Sequence, residues 1–203
     1  MGGADELWNV LSSWDHACLP PTRRTIRRVL GELCLRREDL ADWIAFGAIA
    51  YQRNLIHRSS RFEALLLCWR SGQRSPIHDH AGSTCGVRVI VGTATETIYA
   101  ASPCGSLYPQ RSRRLAAGSV SVSHDADVHQ MGNLAPVGHD LITLHIYSPP
   151  LSATRIYSLS ETTLADHDRL AALRPKERAR TIGADEVHIG SSSTPSGVSK
   201  VTR

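Results

Sequence analysis

The chain has 203 residues, 41% hydrophobic and 21% charged, enough apolar material for one packed domain with a tail. Its net charge of +4 and pI near 9.0 are too mild to argue for a nucleic-acid partner, and no apolar run is long enough to cross a bilayer. Five cysteines (Cys18, Cys34, Cys68, Cys85 and Cys104) show no disulfide-framework spacing, and no signal peptide opens the sequence, so a reducing, cytoplasmic setting is expected.

Leu7, Val10, Leu11 and Trp14 follow helical spacing, with Asp5 and Glu6 at the end favoured by the helix dipole. Pro20-Pro21 ends that segment. Thr22 reads as the N-cap of a second helix with an Ile26, Val29, Leu30, Leu33 stripe, and Leu40, Trp43 and Ile44 predict a short third one. Residues 1–46 are therefore expected to form helices packed on a sheet. The arginine pairs 23-24, 27-28 and 36-37 read as solvated helix faces.

From Ala48 the pattern becomes one of short strands, at 48–55, 62–69, 74–78, 85–91, 93–100, 114–115, 119–123, 129–131, 141–147 and 154–157. Clusters of Gly, Pro and Ser separate them, which points to a sandwich or barrel over 47–160. A short helix is expected within 161–175, stopping before Pro175. The Ser/Gly/Thr-rich stretch 176–203 has little to bury and is expected to be disordered.

His78 and His80 are one residue apart, behind Pro76 and ahead of the alternating Val87, Val89 and Val91. On a strand, such a pair places both imidazoles on one face and begins a metal site. A third ligand must come from elsewhere, and His129, four residues before Asn133, is the candidate. Gly72, His78, His80, Cys85 and Gly92, then Gly118, His129 and Asn133, resemble the two cupin motifs in spacing. Two departures stand out. Cys85 occupies the place of the usual acidic ligand, and His124 and Ala126 replace a Pro and a Gly. That leaves three histidines and no carboxylate. Neutral imidazoles keep the full charge of a divalent ion, which favours an anionic substrate ligand, above all a thiolate. Cys85 is open to other readings: a free core thiol, or a fourth ligand in a zinc site.

The stretches AYQRNLI (50–56), LLLCW (65–69) and LHIYSPP (144–150), together with the HDH segment and its Ser83 and Cys85, resemble cysteine dioxygenase, the thiol dioxygenase branch of the cupins. The resemblance covers residues 25–160. It implies a mostly β protein, a jelly-roll-like β-barrel of the cupin type with an N-terminal helical preface. It implies one Fe(II) per chain on His78, His80 and His129. The implied reaction converts L-cysteine and O2 to cysteine sulfinic acid with no external electron donor, in a monomer. Arg53 then matches the arginine that pairs with the substrate carboxylate, and Tyr51 the tyrosine that supports it. Cys85 and Tyr147 match a pair joined by a thioether in many members. His145 matches the histidine bonded to the tyrosine hydroxyl, and Thr143 stands where the family often has serine. Ser148-Pro149-Pro150 matches a segment with a cis proline bond. His57, His124 and His139 receive no role, and Cys68 and Trp69 read as core.

The rival readings are a dioxygenase for 3-mercaptopropionate, a non-catalytic metal-binding cupin or sensor, and a zinc isomerase or hydrolase. The mercaptopropionate branch typically carries glutamine where Arg53 stands, although Gln52 is adjacent.

Overall fold

Helix α1 (Gly3–His16) buries Leu7, Leu11 and Trp14, and α2 (Arg23–Glu32) buries Ile26, Val29 and Leu30. Thr22 caps α2 as its sequence position predicts: its hydroxyl accepts from the Thr25 amide at 3.2 Å. At the other end of α2 the Arg88 guanidinium donates to the carbonyls of Leu30 and Gly31, groups left without helical partners. The third segment, Glu38–Trp43, is a 3-10 turn with Leu40 buried. This computed structural model describes residues 2–103, 105–123, 127–152 and 154–159. The expected helix at 161–175, the tail at 176–203, Cys104 and His124 lie outside the described residues.

Among the described residues ten strands follow: β1 (Gln52–Arg58), β2 (Glu63–Trp69), β3 (Ile77–His78), β4 (Thr84–Val91), β5 (Thr93–Ala101), β6 (Leu107–Ala116), β7 (Val120–Ser123), β8 (His129–Gly132), β9 (Leu141–Ser148) and β10 (Ile156–Tyr157). They form two antiparallel sheets, in the orders β1-β2-β9-β4-β7 and β10-β3-β8-β5-β6. Leu65, Leu67, Val87 and Val89 of the first sheet meet Ala94, Leu115 and Met131 of the second in one apolar cluster. The fold is the expected jelly-roll-like barrel with a helical preface.

The outer face of the first sheet is covered as well. Ala64, Leu66, Ile142, Leu144 and Ile146 pack against α1 and α2. β2 and β9 are thus buried on both faces, which is why LLLCW and LITLHIY read as continuous rather than alternating runs. Each fully buried Leu or Ile there contributes roughly 1.5–3 kcal/mol relative to exposure. Gly86 lets α2 close on β4: a Cβ at this position would sit 2.2 Å from Ile26 Cγ2 and 2.9 Å from Leu30 Cδ1.

Three strands differ most from the sequence reading. β6 runs over ten residues rather than two. It is a sheet edge, mostly exposed and rich in arginine, with Pro109 where its register with β5 shifts. Pairing with β5, not burial, holds it, so its hydrophobic pattern is weak. β1 begins at Gln52 and ends at Arg58, because the apolar residues before it, including the exposed Ile49, do not pair. β3 is only Ile77–His78. Arg74 contributes an isolated bridge to Gly132, and His80 lies beyond the strand's end.

Candidate metal centre

β3 and β8 pair with His78 opposite His129, so the third histidine arrives by strand pairing rather than by nearness in sequence. His80 follows β3 on a turn with φ 43° at Ala81 and 95° at Gly82, closed by the Ser83 amide donating to the His80 carbonyl at 3.0 Å. Alternation along a strand therefore does not by itself align the HxH pair. The loop is held instead by Asp79 between the two rings. Its Oδ1 accepts from the Ala81 and Arg155 amides, and its Oδ2 from the Tyr157 hydroxyl at 2.7 Å. Among the described residues, one nitrogen each from His78, His80 and His129 converges, all within 4.8 Å of one another.

The second nitrogen of each ring shows which face is free. His78 Nδ1 donates to the Pro76 carbonyl at 2.9 Å, and a carbonyl can only accept, so the proton sits on Nδ1. His129 Nδ1 donates to Glu96 Oε1 at 3.0 Å. His80 Nδ1 lies 3.5 Å from the Ser123 hydroxyl, whose own proton can go to the Cys85 carbonyl. The Nε2 lone pairs are therefore available, and those of His80 and His129 face each other at 3.2 Å. Two such lone pairs repel unless a cation lies between them. That separation fits two nitrogens each ~2.0–2.1 Å from one shared ion. Burial, then the neighbouring His129, holds the His78 ring down at about 3 and the His80 ring at about 2, so both stay neutral donors. The donor set fits a divalent transition metal with open positions.

Above the histidines, β9 presents Thr143, His145 and Tyr147 on its inner face. Trp69 Nε1 is only a donor, and it donates to Thr143 Oγ1 at 3.0 Å. Thr143 Oγ1 lies 2.9 Å from His145 Nε2, and His145 Nδ1 lies 3.2 Å from the Tyr147 hydroxyl. The tryptophan end of this chain can only donate, and at the other end the Tyr147 hydroxyl is shared between His145 and Cys85. Burial, then Arg53, holds His145 well below its ordinary value; burial, then Cys85, holds Tyr147 well above its own. The aromatic rings of Tyr147 and His80 are 5.8 Å apart.

Cys85 is the cross-strand partner of Tyr147 and hydrogen-bonds to it; burial pushes its thiol up to about 12. Its sulfur is not among the converging ligand atoms. Arg53 projects from β1 with its guanidinium carbon 6.0 Å from the centre of the Tyr147 ring. Burial opposes its charge, but Tyr147, Tyr51, Glu63 and Cys85 outweigh that and raise it further. Tyr51 stacks on Trp69 at 4.1 Å and hydrogen-bonds to Arg53. Arg53 also lines a cavity of about 360 Å³ with Trp43, Arg58, Glu63, Leu65 and Leu151. The peptide bond between Ser148 and Pro149 is cis.

Sequence reasoning missed three contributors. Glu96 is a buried carboxylate against His129. Burial pushes it up, but the hydrogen bond and charge of His129, then Arg113, prevail and hold it at about 2. Asp79 was visible inside the HDH motif but not its pairing with β10. Trp69 is core, as expected, and is also the donor that orients the Tyr147 chain. Asn133, used for motif spacing, is a clamp away from the metal cluster: its amide donates to the Trp69 and His139 carbonyls. His57 pairs with Asp15 at 2.6 Å, far along the chain from the histidine cluster.

A model of the cysteine dioxygenase type I family matches residues 35–160. Cysteine dioxygenase type 1 of Homo sapiens is 25% identical over 146 residues, covering 68% of this chain and 72% of that protein. The Rattus norvegicus protein is 24% identical over 147 residues, covering 66% and 73%. Among solved structures, a protein with a double-stranded β-helix domain from Klebsiella pneumoniae aligns with a TM-score of 0.48 and 15% identity, covering 58% of this chain and 87% of that one. The matched segment takes in Arg53, Cys85, Tyr147 and all three converging histidines, and the chain belongs to the cysteine dioxygenase type I family.

Proposed function

We propose that this chain is an Fe(II)-dependent thiol dioxygenase that converts L-cysteine and O2 to cysteine sulfinic acid. Both oxygen atoms end on sulfur, so the reaction balances without an external reductant. The observation that carries the reading is Arg53: a permanent cation beside the Tyr147 ring, with three converging imidazoles and, among the described residues, no carboxylate in their cluster. A guanidinium fork there matches a substrate carboxylate, and an uncompensated divalent ion matches a thiolate.

His78, His80 and His129 would hold the iron, each with Nε2 inward and Nδ1 anchored behind. When bound, iron supplies the positive charge that favours the thiolate and the redox chemistry that dioxygen requires. Arg53, supported by Tyr51, holds the substrate carboxylate and so fixes where its sulfur lies. Tyr147 offers a neutral O–H, kept protonated by burial and aimed by His145. Cys85 faces Tyr147 across β4 and β9, which supports the thioether that the family resemblance implies; that bond would lock the phenol. The apolar wall of Leu65, Leu67, Val87, Val89 and Met131 keeps bulk water out. Residues 47–160 form the catalytic barrel in this reading, and 1–46 brace its outer face.

Anaerobic reconstitution with iron, followed by product analysis with O2 and either cysteine or 3-mercaptopropionate, tests the reading. Cysteine sulfinate formed at a kcat/KM above that for 3-mercaptopropionate, and lost on Arg53→Ala, is the expected result. A preference for 3-mercaptopropionate, or no thiol-dependent O2 consumption, would overturn it.

A further inference from the structure

Among the described residues no carboxylate joins the converging ligands, yet one stands directly behind them. Glu96 of β5 is 2% exposed. Its two oxygens have separate tasks. Oε1 accepts from His129 Nδ1 at 3.0 Å. Oε2 accepts from Arg113 Nε at 2.7 Å and Nη2 at 2.6 Å, with the Ser121 hydroxyl at 3.4 Å. Ser121 itself accepts from Arg113 Nη2 at 2.7 Å, so the arginine, serine and carboxylate close a ring. The strands supply this without any special loop: Glu96 lies opposite Arg113 on β6 and Met131 on β8, diagonal to His129. Behind the carboxylate is a cavity of about 340 Å³ lined by Arg23, Arg27, Arg111, Arg113 and Asp127.

We propose that Glu96 is a positioning residue for the metal centre. Clamped by Arg113 and Ser121, it fixes His129 as the Nδ1–H tautomer, aims Nε2 at the ion and strengthens that nitrogen as a donor. A carboxylate accepting the distal N–H of an imidazole makes the ring more electron-rich and restricts its rotation. His78, by contrast, is anchored on a neutral backbone carbonyl, and His80 on a long contact to a hydroxyl. The acidic group that a first-motif glutamate would contribute to an ion directly acts here through the His129 ring, which would leave more positions open on a bound ion. The inference rests on the three-histidine site holding a metal, but not on the identity of the substrate.

The test uses the full-length, metal-free protein titrated with Co(II) and with Zn(II), in wild type and Glu96→Gln. Affinity measured by competition with a chromophoric chelator should fall about 10- to 100-fold in the variant, the range seen when such partners are removed. In the Zn(II) form, proton NMR should show the His129 Nδ1–H resonance move upfield in Glu96→Gln, while that of His78 stays in place. A purely structural role for Glu96 would lower the melting temperature without that selective movement. Unchanged affinity with an unchanged His129 resonance overturns the inference while leaving the metal site standing. A wild-type protein that binds neither ion overturns both. Should Glu96→Gln not fold, Glu96→Asp keeps the charge and withdraws the oxygen by one methylene; wild-type affinity in that variant also overturns the inference.

Discussion

Two polar networks flank the histidine cluster, and they are built on opposite principles. In the first sheet, Trp69, Thr143, His145 and Tyr147 form a chain of neutral hydrogen-bonded groups. In the second, His129, Glu96 and Arg113, joined by Ser121 from β7 of the first, form a charged cluster around one buried carboxylate. The neutral chain orients a hydroxyl without burying a charge. The charged cluster can tune a ligand more strongly, and for the same reason depends on all of its members.

The largest expected effect removes the residue between the networks. His80 faces His129 at 3.2 Å on one side and the Tyr147 ring on the other. His80→Ala should abolish metal retention and thiol-dependent O2 consumption, read by metal analysis and an oxygen electrode. Retention of wild-type metal content would break the picture of a shared centre.

Next comes the direct contrast. Arg113→Met strands the Glu96 charge, and Thr143→Val removes the link between Trp69 and His145. Arg113 is 38% exposed, so water offsets part of the cost of breaking a buried pair, and we expect about 2 kcal/mol of destabilisation. Thr143→Val leaves two buried neutral groups unsatisfied, which costs roughly 1–3 kcal/mol. The two are separated by function: Arg113→Met should weaken Co(II) binding, whereas Thr143→Val should leave it unchanged and lower kcat. Calorimetry with metal titration reads both.

The pH dependence of the metal-free protein sharpens the same point. Glu96 sits at about 2 when folded against an ordinary 4.5, so its stabilising contribution is present above about 4.5 and lost as pH falls toward 2. His78 and His80 are held neutral, at about 3 and about 2 against 6.5, so the unfolded chain binds more protons below 6.5 and stability declines from there downward. Urea midpoints should therefore fall below pH 6.5 and more steeply below 4.5. Glu96→Gln should flatten the lower segment only. Thr143→Val should preserve both slopes.

The smallest expected effect is Thr143→Ser. It keeps the hydroxyl that accepts from Trp69 and bonds to His145, so kcat should change less than about 3-fold, with a modest stability loss for one buried methyl, about 1 kcal/mol.

Much of the site was legible before the fold was known, because its chemistry is carried by residue types with few other uses in such patterns. His78, His80 and His129, with Arg53, Cys85, His145 and Tyr147, lie in short motifs, and the structure converges the three histidines, sets Cys85 opposite Tyr147 and brings Arg53 to 6.0 Å from the Tyr147 ring. Glu96 lay in TATETIYA, where alternation reads as a strand with an exposed polar face. Nothing local distinguishes a solvated glutamate from one turned onto a histidine. β6 was nearly invisible for a related reason: an edge strand held by backbone pairing needs no apolar pattern.

The sequence by itself determined the helical preface, the sandwich of short strands, and which donors could hold a metal, since period, capping and ligand chemistry are local properties of residue types. Tertiary structure alone decided that β3 and β8 would set His78 against His129, that Trp69 would join a hydrogen-bonded chain reaching Tyr147, and that Arg113 would hold Glu96 behind His129. Those arrangements depend on the register of strands far apart in the chain, and register is chosen by the whole buried core at once.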